Sequence, residues 1–173
     1  MSESLHPDPS IRSVKRPAAP PLRPARPTDA PALAEMSRDL IEAGLDWRYT
    51  PRRMAALIGD PETMALVAGE GAQIHGFAIM QFGDDLAHLT LLCVRPAQRG
   101  RGLGRQLIEW LVASARVAGI VSIRLELRAD NAVALAFYRR LGFAETSLVP
   151  AYYGGRVAAR RMALRLHQPA ATP

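Results

Sequence analysis

Apolar positions recur along this chain at two spacings. Leu103, Leu107, Leu111 and Ala115 fall four apart, which lines one face of a helix, and predict one from about Gly102 to Ala118. Val121, Ile123, Leu125 and Leu127 fall two apart, the period of a half-buried strand running to Arg128. Apolar runs at residues 64–68, 74–82 and 86–94 read as three more strands. The turn signals Glu70-Gly71 and Gly83-Asp84-Asp85 separate them. Thr28-Asp29 reads as an N-cap before a helix reaching about Ala43. Thr50-Pro51 opens a second helix ending near Gly59, with proline at its first position. Asn131 caps a third as far as Leu141, stopped by Gly142, and strands at residues 143–149 and 161–166 follow. No internal repeat is evident. Hairpins first and helix–strand alternation later imply an α/β (α+β) fold. Its sheet is single, mixed and largely antiparallel, with helices on both faces.

Length and charge narrow the picture. A chain of 173 residues suits one domain with a sizeable core. Residues 1–21, rich in proline, serine and charge, read as a disordered tail, residues 22–167 as the domain, and 168–173 as a short C-terminal tail. The net charge of +6 comes from 22 basic and 16 acidic residues, and Lys15 is the sole lysine. Part of the excess sits early, at Arg12, Lys15, Arg16, Arg23 and Arg26. The balance suits an anionic ligand and is too small to call for nucleic acid. Cys93 is the sole cysteine, which excludes an intrachain disulfide and a multi-cysteine metal site; no metal is expected. A reducing cytoplasm is the expected compartment. No apolar run approaches the roughly 18 residues that span a bilayer. The first twenty residues carry repeated prolines and no apolar core, so they do not read as a signal peptide. Monomer and homodimer both stay open.

The richest stretch is Arg99-Gly100-Arg101-Gly102-Leu103-Gly104, between the strand ending at Val94 and the helix that follows. A glycine-rich turn at a helix N-terminus presents free N–H groups and the positive end of the helix dipole, a place to hold phosphate. Arg99, Arg101 and the adjacent Arg105 add full charges. The GTP/ATP-binding loop needs G-x-x-x-x-G-K-[ST], and no lysine occurs here. The dinucleotide fingerprint needs G-x-G-x-x-G, and Leu107 stands where its third glycine would fall.

A second element, Asn131-Ala132-Val133-Ala134-Leu135-Ala136-Phe137-Tyr138-Arg139-Arg140-Leu141-Gly142-Phe143, follows the alternating strand. Val133, Phe137 and Leu141 form one helical stripe that reads as core. Tyr138 lies about 100° around the helix, at its edge. With both elements in view, the chain resembles the GCN5-related N-acetyltransferase (GNAT) superfamily. That family's [QR]-x-x-G-x-[GA] loop is met by Arg99, Gly102 and Gly104. Its N-x-x-A-x-x-F-Y-x-x-x-G-F element is met by Asn131, Ala134, Phe137, Tyr138, Gly142 and Phe143. The second half looks most like the acetyltransferases of ribosomal-protein N-termini, through Gly76-Phe77-Ala78-Ile79, Leu125-Glu126-Leu127-Arg128 and Tyr152-Tyr153.

The resemblance implies about seven strands and four helices, with a V-shaped splay between the fourth and fifth strands. It implies acetyl-CoA as co-substrate, its pantetheine arm along Leu92, Cys93 and Val94. The pyrophosphate would sit on the amides of Arg99, Gly100, Arg101, Gly102, Leu103 and Gly104, close to Arg105, and Asn131, Ala134 and Tyr138 would complete the cofactor side. It implies direct acetyl transfer, through a ternary complex, to a primary amine of a peptide N-terminus or a small molecule. A non-catalytic acyl-CoA-binding module is the alternative. No nucleic acid or membrane partner is implied.

Amines with pKa from about 8 to about 10.4 are mostly protonated at neutral pH, so transfer needs a base, and the leaving thiolate needs an acid. Tyr138 matches the family's tyrosine near the CoA sulfur and is the candidate acid. Glu126 matches the glutamate proposed as base in the N-terminal acetyltransferases; alternatively it pairs with Arg124 and Arg128 on the same strand face. His88 is the rival base, because an unperturbed imidazole titrates near neutrality. Cys93, inside an apolar run, reads as an inert small hydrophobe rather than an acyl carrier. Arg139 and Arg140 are within reach of a CoA 3′-phosphate. Trp47, Tyr49 and the Tyr152-Tyr153-Gly154-Gly155 turn are candidates for the acceptor site.

Overall fold

The computed structural model describes residues 19–166. The two tails expected from composition lie almost entirely outside them. The elements are β1 (Leu22–Pro24), α1 (Ala30–Leu40), α2 (Pro51–Gly59), β2 (Thr63–Glu70), β3 (Gln73–Phe82), β4 (Leu86–Val94), α3 (Leu103–Val117), β5 (Ser122–Arg128), α4 (Ala132–Arg140), β6 (Ala144–Tyr153) and β7 (Val157–Arg165). All seven strands form one sheet in the order β1-β2-β3-β4-β5-β7-β6. Every neighbouring pair is antiparallel except β4 and β5. The mixed, mainly antiparallel sheet anticipated from the hairpin pattern is therefore present, with four helices.

Two apolar layers sandwich the sheet. On one face α3 contributes Leu103, Leu107, Ile108, Leu111 and Ala115, packed on Leu66, Ala78, Met80 and Ile123. On the other, α1 and α2 contribute Leu33, Met36 and Met54, packed on Val67, Phe77 and Ile79. Strand β4 serves both layers. Ala87 and Leu89 belong to the α3 layer, whereas Leu91 and Cys93 belong to the α1–α2 layer. The switch occurs at Thr90, where the register jumps from Met80↔Leu89 to Ile79↔Leu91. One extra residue in an alternating strand exchanges its two faces, which is what a β-bulge does. Uninterrupted alternation would have sent Leu89, Leu91 and Cys93 to one side.

The caps behave as their side chains dictate. The Arg53 N–H donates to Thr50 Oγ1 at 3.4 Å and the Ala134 N–H to Asn131 Oδ1 at 3.0 Å. Asp29 differs from the expected cap. It sits in a 3-10 turn, Pro27–Asp29, and makes no side-chain bond to α1. Instead it accepts from Arg23 through both oxygens, at 2.7 and 3.0 Å, and from the Arg26 N–H at 2.7 Å. This carboxylate ties β1 to the start of α1. The strand β1 itself was not anticipated. It is three residues long, carries no periodic signal, and lies at the sheet edge, where a proline is tolerated. Helix α1 stops at Leu40, short of Ala43, and β7 begins at Val157, ahead of the expected Arg161.

The Arg23 guanidinium holds the Asp29 carboxyl below its ordinary value of 3.8. A carboxylate lowered on folding stabilises fully above its unfolded pKa, and that stability is lost as pH falls through the lower folded value. Asp29→Asn should therefore cost about 1–2 kcal/mol at pH 7. The variant and wild type should converge in denaturant-unfolding midpoints measured at about pH 2.

Candidate active site

Strands β4 and β5 share only the partners Leu86↔Ser122, Ala87↔Ile123 and His88↔Arg124. Beyond these, among the described residues, the two strands have no common register, and the sheet opens into the V that the resemblance implied. The edge of β4 from Leu89 to Val94 thus faces a cleft instead of a neighbouring strand. The cleft measures about 1440 Å³ and runs from the start of α3 to the β6–β7 hairpin.

At one end is the glycine turn. Gly100 and Gly102 have φ of +74° and +81°, a backbone conformation that disfavours side chains. A Cβ at either would meet no atom within 4 Å, so the space before the turn is open. The first helical bond of α3 runs from the Gln106 N–H to the Gly102 carbonyl. The N–H groups of Leu103, Gly104 and Arg105 consequently lack helical acceptors. Arg99, Gly100, Gly102, Leu103, Gly104 and Arg105 all line the cleft. Arg101 does not; it turns back to Gln98 Oε1 at 3.4 Å. An open, glycine-walled helix start with arginines on its rim suits a pyrophosphate, and the unpaired β4 edge suits the amide-bearing arm of CoA.

Leu92, Cys93 and Val94 line the middle of the cleft. Burial pushes the Cys93 thiol from 9.0 up to about 12, and its Sγ lies 3.9 Å from the Met36 carbonyl. The thiol stays protonated and faces the protein interior, which disqualifies it as an acyl carrier.

Asn131, Ala134 and Tyr138 line the α4 wall. Of the expected α4 stripe, Phe137 and Leu141 pack against the core, but Val133 does not. Val133 is 82% exposed, whereas Tyr138 is 8% exposed and packs edge-on against Phe137 and Phe143. Burial raises the Tyr138 phenol well above its ordinary 10.0, so the hydroxyl remains protonated. Arg139 pairs with Glu145, while Arg140 borders the cleft, leaving Arg140 as the helix's available cation there.

Glu126 and His88, weighed separately as bases, are in contact: Nε2 of His88 lies 2.6 Å from Oε2 of Glu126. Arg161 of β7 sits 3.3 Å from Oε1. The His88 hydrogen bond, ahead of the opposing effect of burial, holds the Glu126 carboxyl below its ordinary 4.5. Arg124 and Arg128 are not its partners; Arg128 donates to the Ala43 carbonyl at 2.8 Å.

The far wall belongs to the segment after α1. Glu42 is 6% exposed and accepts from the Arg48 N–H at 2.7 Å and from Ser37 Oγ at 3.0 Å. It organises residues 42–49 around one buried carboxylate. Sequence alone did not reveal it, because a single acid in a polar segment carries no spacing signal. Thr90, Gln81 and Arg161 were missed because each is a single polar residue within a strand, and its partner comes from a tertiary neighbour or the strand's own irregularity. Tyr49, Tyr152, Tyr153 and Gly154 line this end, as anticipated. Trp47 does not, and instead lies under the Arg38 guanidinium. Among the described residues, no group of three or more His, Cys, Asp or Glu is placed to hold a metal ion, and no helix is long and apolar enough to cross a membrane.

Comparison with known proteins bears on this arrangement. The model of the Acetyltransferase (GNAT) family matches residues 32–143. A ribosomal protein bS18-alanine N-acetyltransferase of Salmonella typhimurium is 44% identical over 77 residues, or 44% of this chain. That match spans 52% of the relative, so the chain aligns with about half of its length. The N-alpha-acetyltransferase RimI of Mycobacterium tuberculosis is 33% identical over 129 residues, covering 72% of this chain and 78% of that protein. The crystal structure of the Escherichia coli ribosomal-protein-S18-alanine N-acetyltransferase superposes with a TM-score of 0.75 at 28% identity, over 87% of this chain and 96% of that one. With the family model covering well over half of its length, the chain belongs to the acetyltransferase (GNAT) family.

Proposed function

We propose that this protein transfers acetyl from acetyl-CoA directly to a primary amine, with a peptide N-terminus as the acceptor. The observation that carries the reading is the convergence in one cleft of a phosphate cradle, an unpaired strand edge, a buried tyrosine hydroxyl and a Glu126–His88 pair. The peptide assignment rests on relatives named for acetylating protein N-termini. The sole, buried cysteine is compatible with a reducing cytoplasm.

Each part of the chain has a task. The Arg99–Gly104 turn and Arg105 hold the anionic end of the donor, and the β4 edge orients its arm. Acetyl-CoA supplies an activated acyl carbon. The Glu126–His88 pair receives the amine proton, and Tyr138, kept protonated by burial, donates toward the departing sulfur. Tyr49 and the β6–β7 hairpin shape the acceptor end, and alignment supplies much of the remaining acceleration.

Four outcomes test this. A CoA-release assay on amines and peptides should show turnover, with acetylated N-termini identified by mass; acetyl-CoA binding without turnover would leave the acyl-CoA-binding module instead. Tyr138→Phe should lower kcat about 100-fold while calorimetry finds acetyl-CoA affinity kept. Gly102→Val, forced into positive φ, should weaken acetyl-CoA binding about tenfold. Cys93→Ser should retain turnover, and native Cys93 should resist alkylation at pH 8 under conditions that label the unfolded chain.

A further inference from the structure

Glu126 and His88 do not share the proton-accepting role equally. Both oxygens of Glu126 are engaged, one by His88 and one by Arg161, and its side chain is 16% exposed. His88 also lines the cleft, but its side chain is 42% exposed, so it has a route to solvent for a proton. A carboxylate with one oxygen accepting from an imidazole N–H and the other beside a guanidinium is a poor base for an amine; an imidazole is intrinsically more basic by about two units.

The polar groups around the ring fix which nitrogen acts. An ionised carboxylate only accepts, so the 2.6 Å contact requires a proton on Nε2 of His88. The lone pair of the neutral ring is then on Nδ1. That atom lies 3.4 Å from Thr90 Oγ1. The Thr90 hydroxyl has its own acceptors, Gln81 Oε1 at 3.0 Å and the His88 carbonyl at 3.4 Å. Its proton is drawn to those oxygens, and a lone pair is left for Nδ1. Both ring nitrogens therefore face acceptors, an environment that welcomes imidazolium as it forms. Thr90 is the bulge residue of β4, two residues beyond the last pair with β5, and its oxygen lies beside the ring.

We infer that His88 Nδ1 is the atom that takes the proton from the acceptor amine, with Glu126 as the positioning residue that holds the ring in the Nε2–H tautomer, and Thr90, oriented by Gln81, as the one that accepts from Nδ1–H once it forms. The inference rests on the acetyl-transfer reading. In the step, the amine nitrogen forms its bond to the acyl carbon while its proton passes to Nδ1, directly or through one water. The C–S bond breaks, and the thiolate takes a proton from Tyr138. The imidazolium returns its proton to solvent and Tyr138 regains one, so no further reactant is needed.

The experiment uses the full chain with acetyl-CoA and one peptide acceptor that the wild type acetylates. His88→Ala and His88→Gln should each lower kcat about 100-fold or more with acetyl-CoA affinity unchanged by calorimetry. Added imidazole should restore part of the His88→Ala rate and none of the His88→Gln rate. Glu126→Gln should lose less activity. By NMR of ¹⁵N-labelled histidine, the wild-type ring should show the Nε2–H tautomer, and Glu126→Gln a mixture of the two. Unchanged kcat in both His88 variants, or a wild-type ring protonated at Nδ1 alone when neutral, overturns the inference while leaving acetyl transfer standing. A wild type that binds acetyl-CoA and acetylates no amine overturns the underlying reading, and this inference with it.

Discussion

The architecture turns on one supernumerary residue in β4. Thr90 breaks the alternation of an otherwise regular strand, and the faces before and after it point to different apolar layers. A bulge also bends its strand and increases the local twist. Pairing with β5 ends at His88, two residues before it. The strand can thus be fully integrated on its β3 side and open on the other. The cleft and the open strand edge begin where that pairing stops, and His88 meets Glu126 at the same point.

The two ends of the cleft are built from different materials. The end proposed for the donor is mostly main chain: a glycine turn, the first N–H groups of α3 and the rim of β4. Such a site depends on backbone path and is indifferent to many side-chain identities. The end proposed for the acceptor is mostly side chain, from Glu42 and Tyr49 on the segment between α1 and α2 and from Tyr152 and Tyr153 at the end of β6. Segments of that kind vary without disturbing the core. The contrast accounts for a donor that motifs announce and an acceptor that they do not.

Much of this was readable from residue order. The every-fourth spacing from Leu103 to Ala115 located α3, and all four positions are buried. Thr50 and Asn131 marked two helix starts through their capping chemistry. Gly100 and Gly102 pointed to the positive-φ turn. The unread parts share a cause: they are set by tertiary neighbours. Asp29 looks like a cap until Arg23 is brought beside it. Tyr138 looks like a stripe-edge residue until Phe143 packs on it, and Val133 looks like core until it is seen exposed. The partnership of Glu126 and His88 joins residues 38 positions apart and leaves no local trace.

The short contact between β4 and β5 has a mechanical side. The sheet is in effect two panels, β1 to β4 and β5 to β7, stitched by three residue pairs at one end. A molecule lying along the open stretch of β4 occupies the gap between the panels. Such an occupant braces the structure as well as being held by it, and the angle between the panels becomes part of how the site grips and releases its cargo.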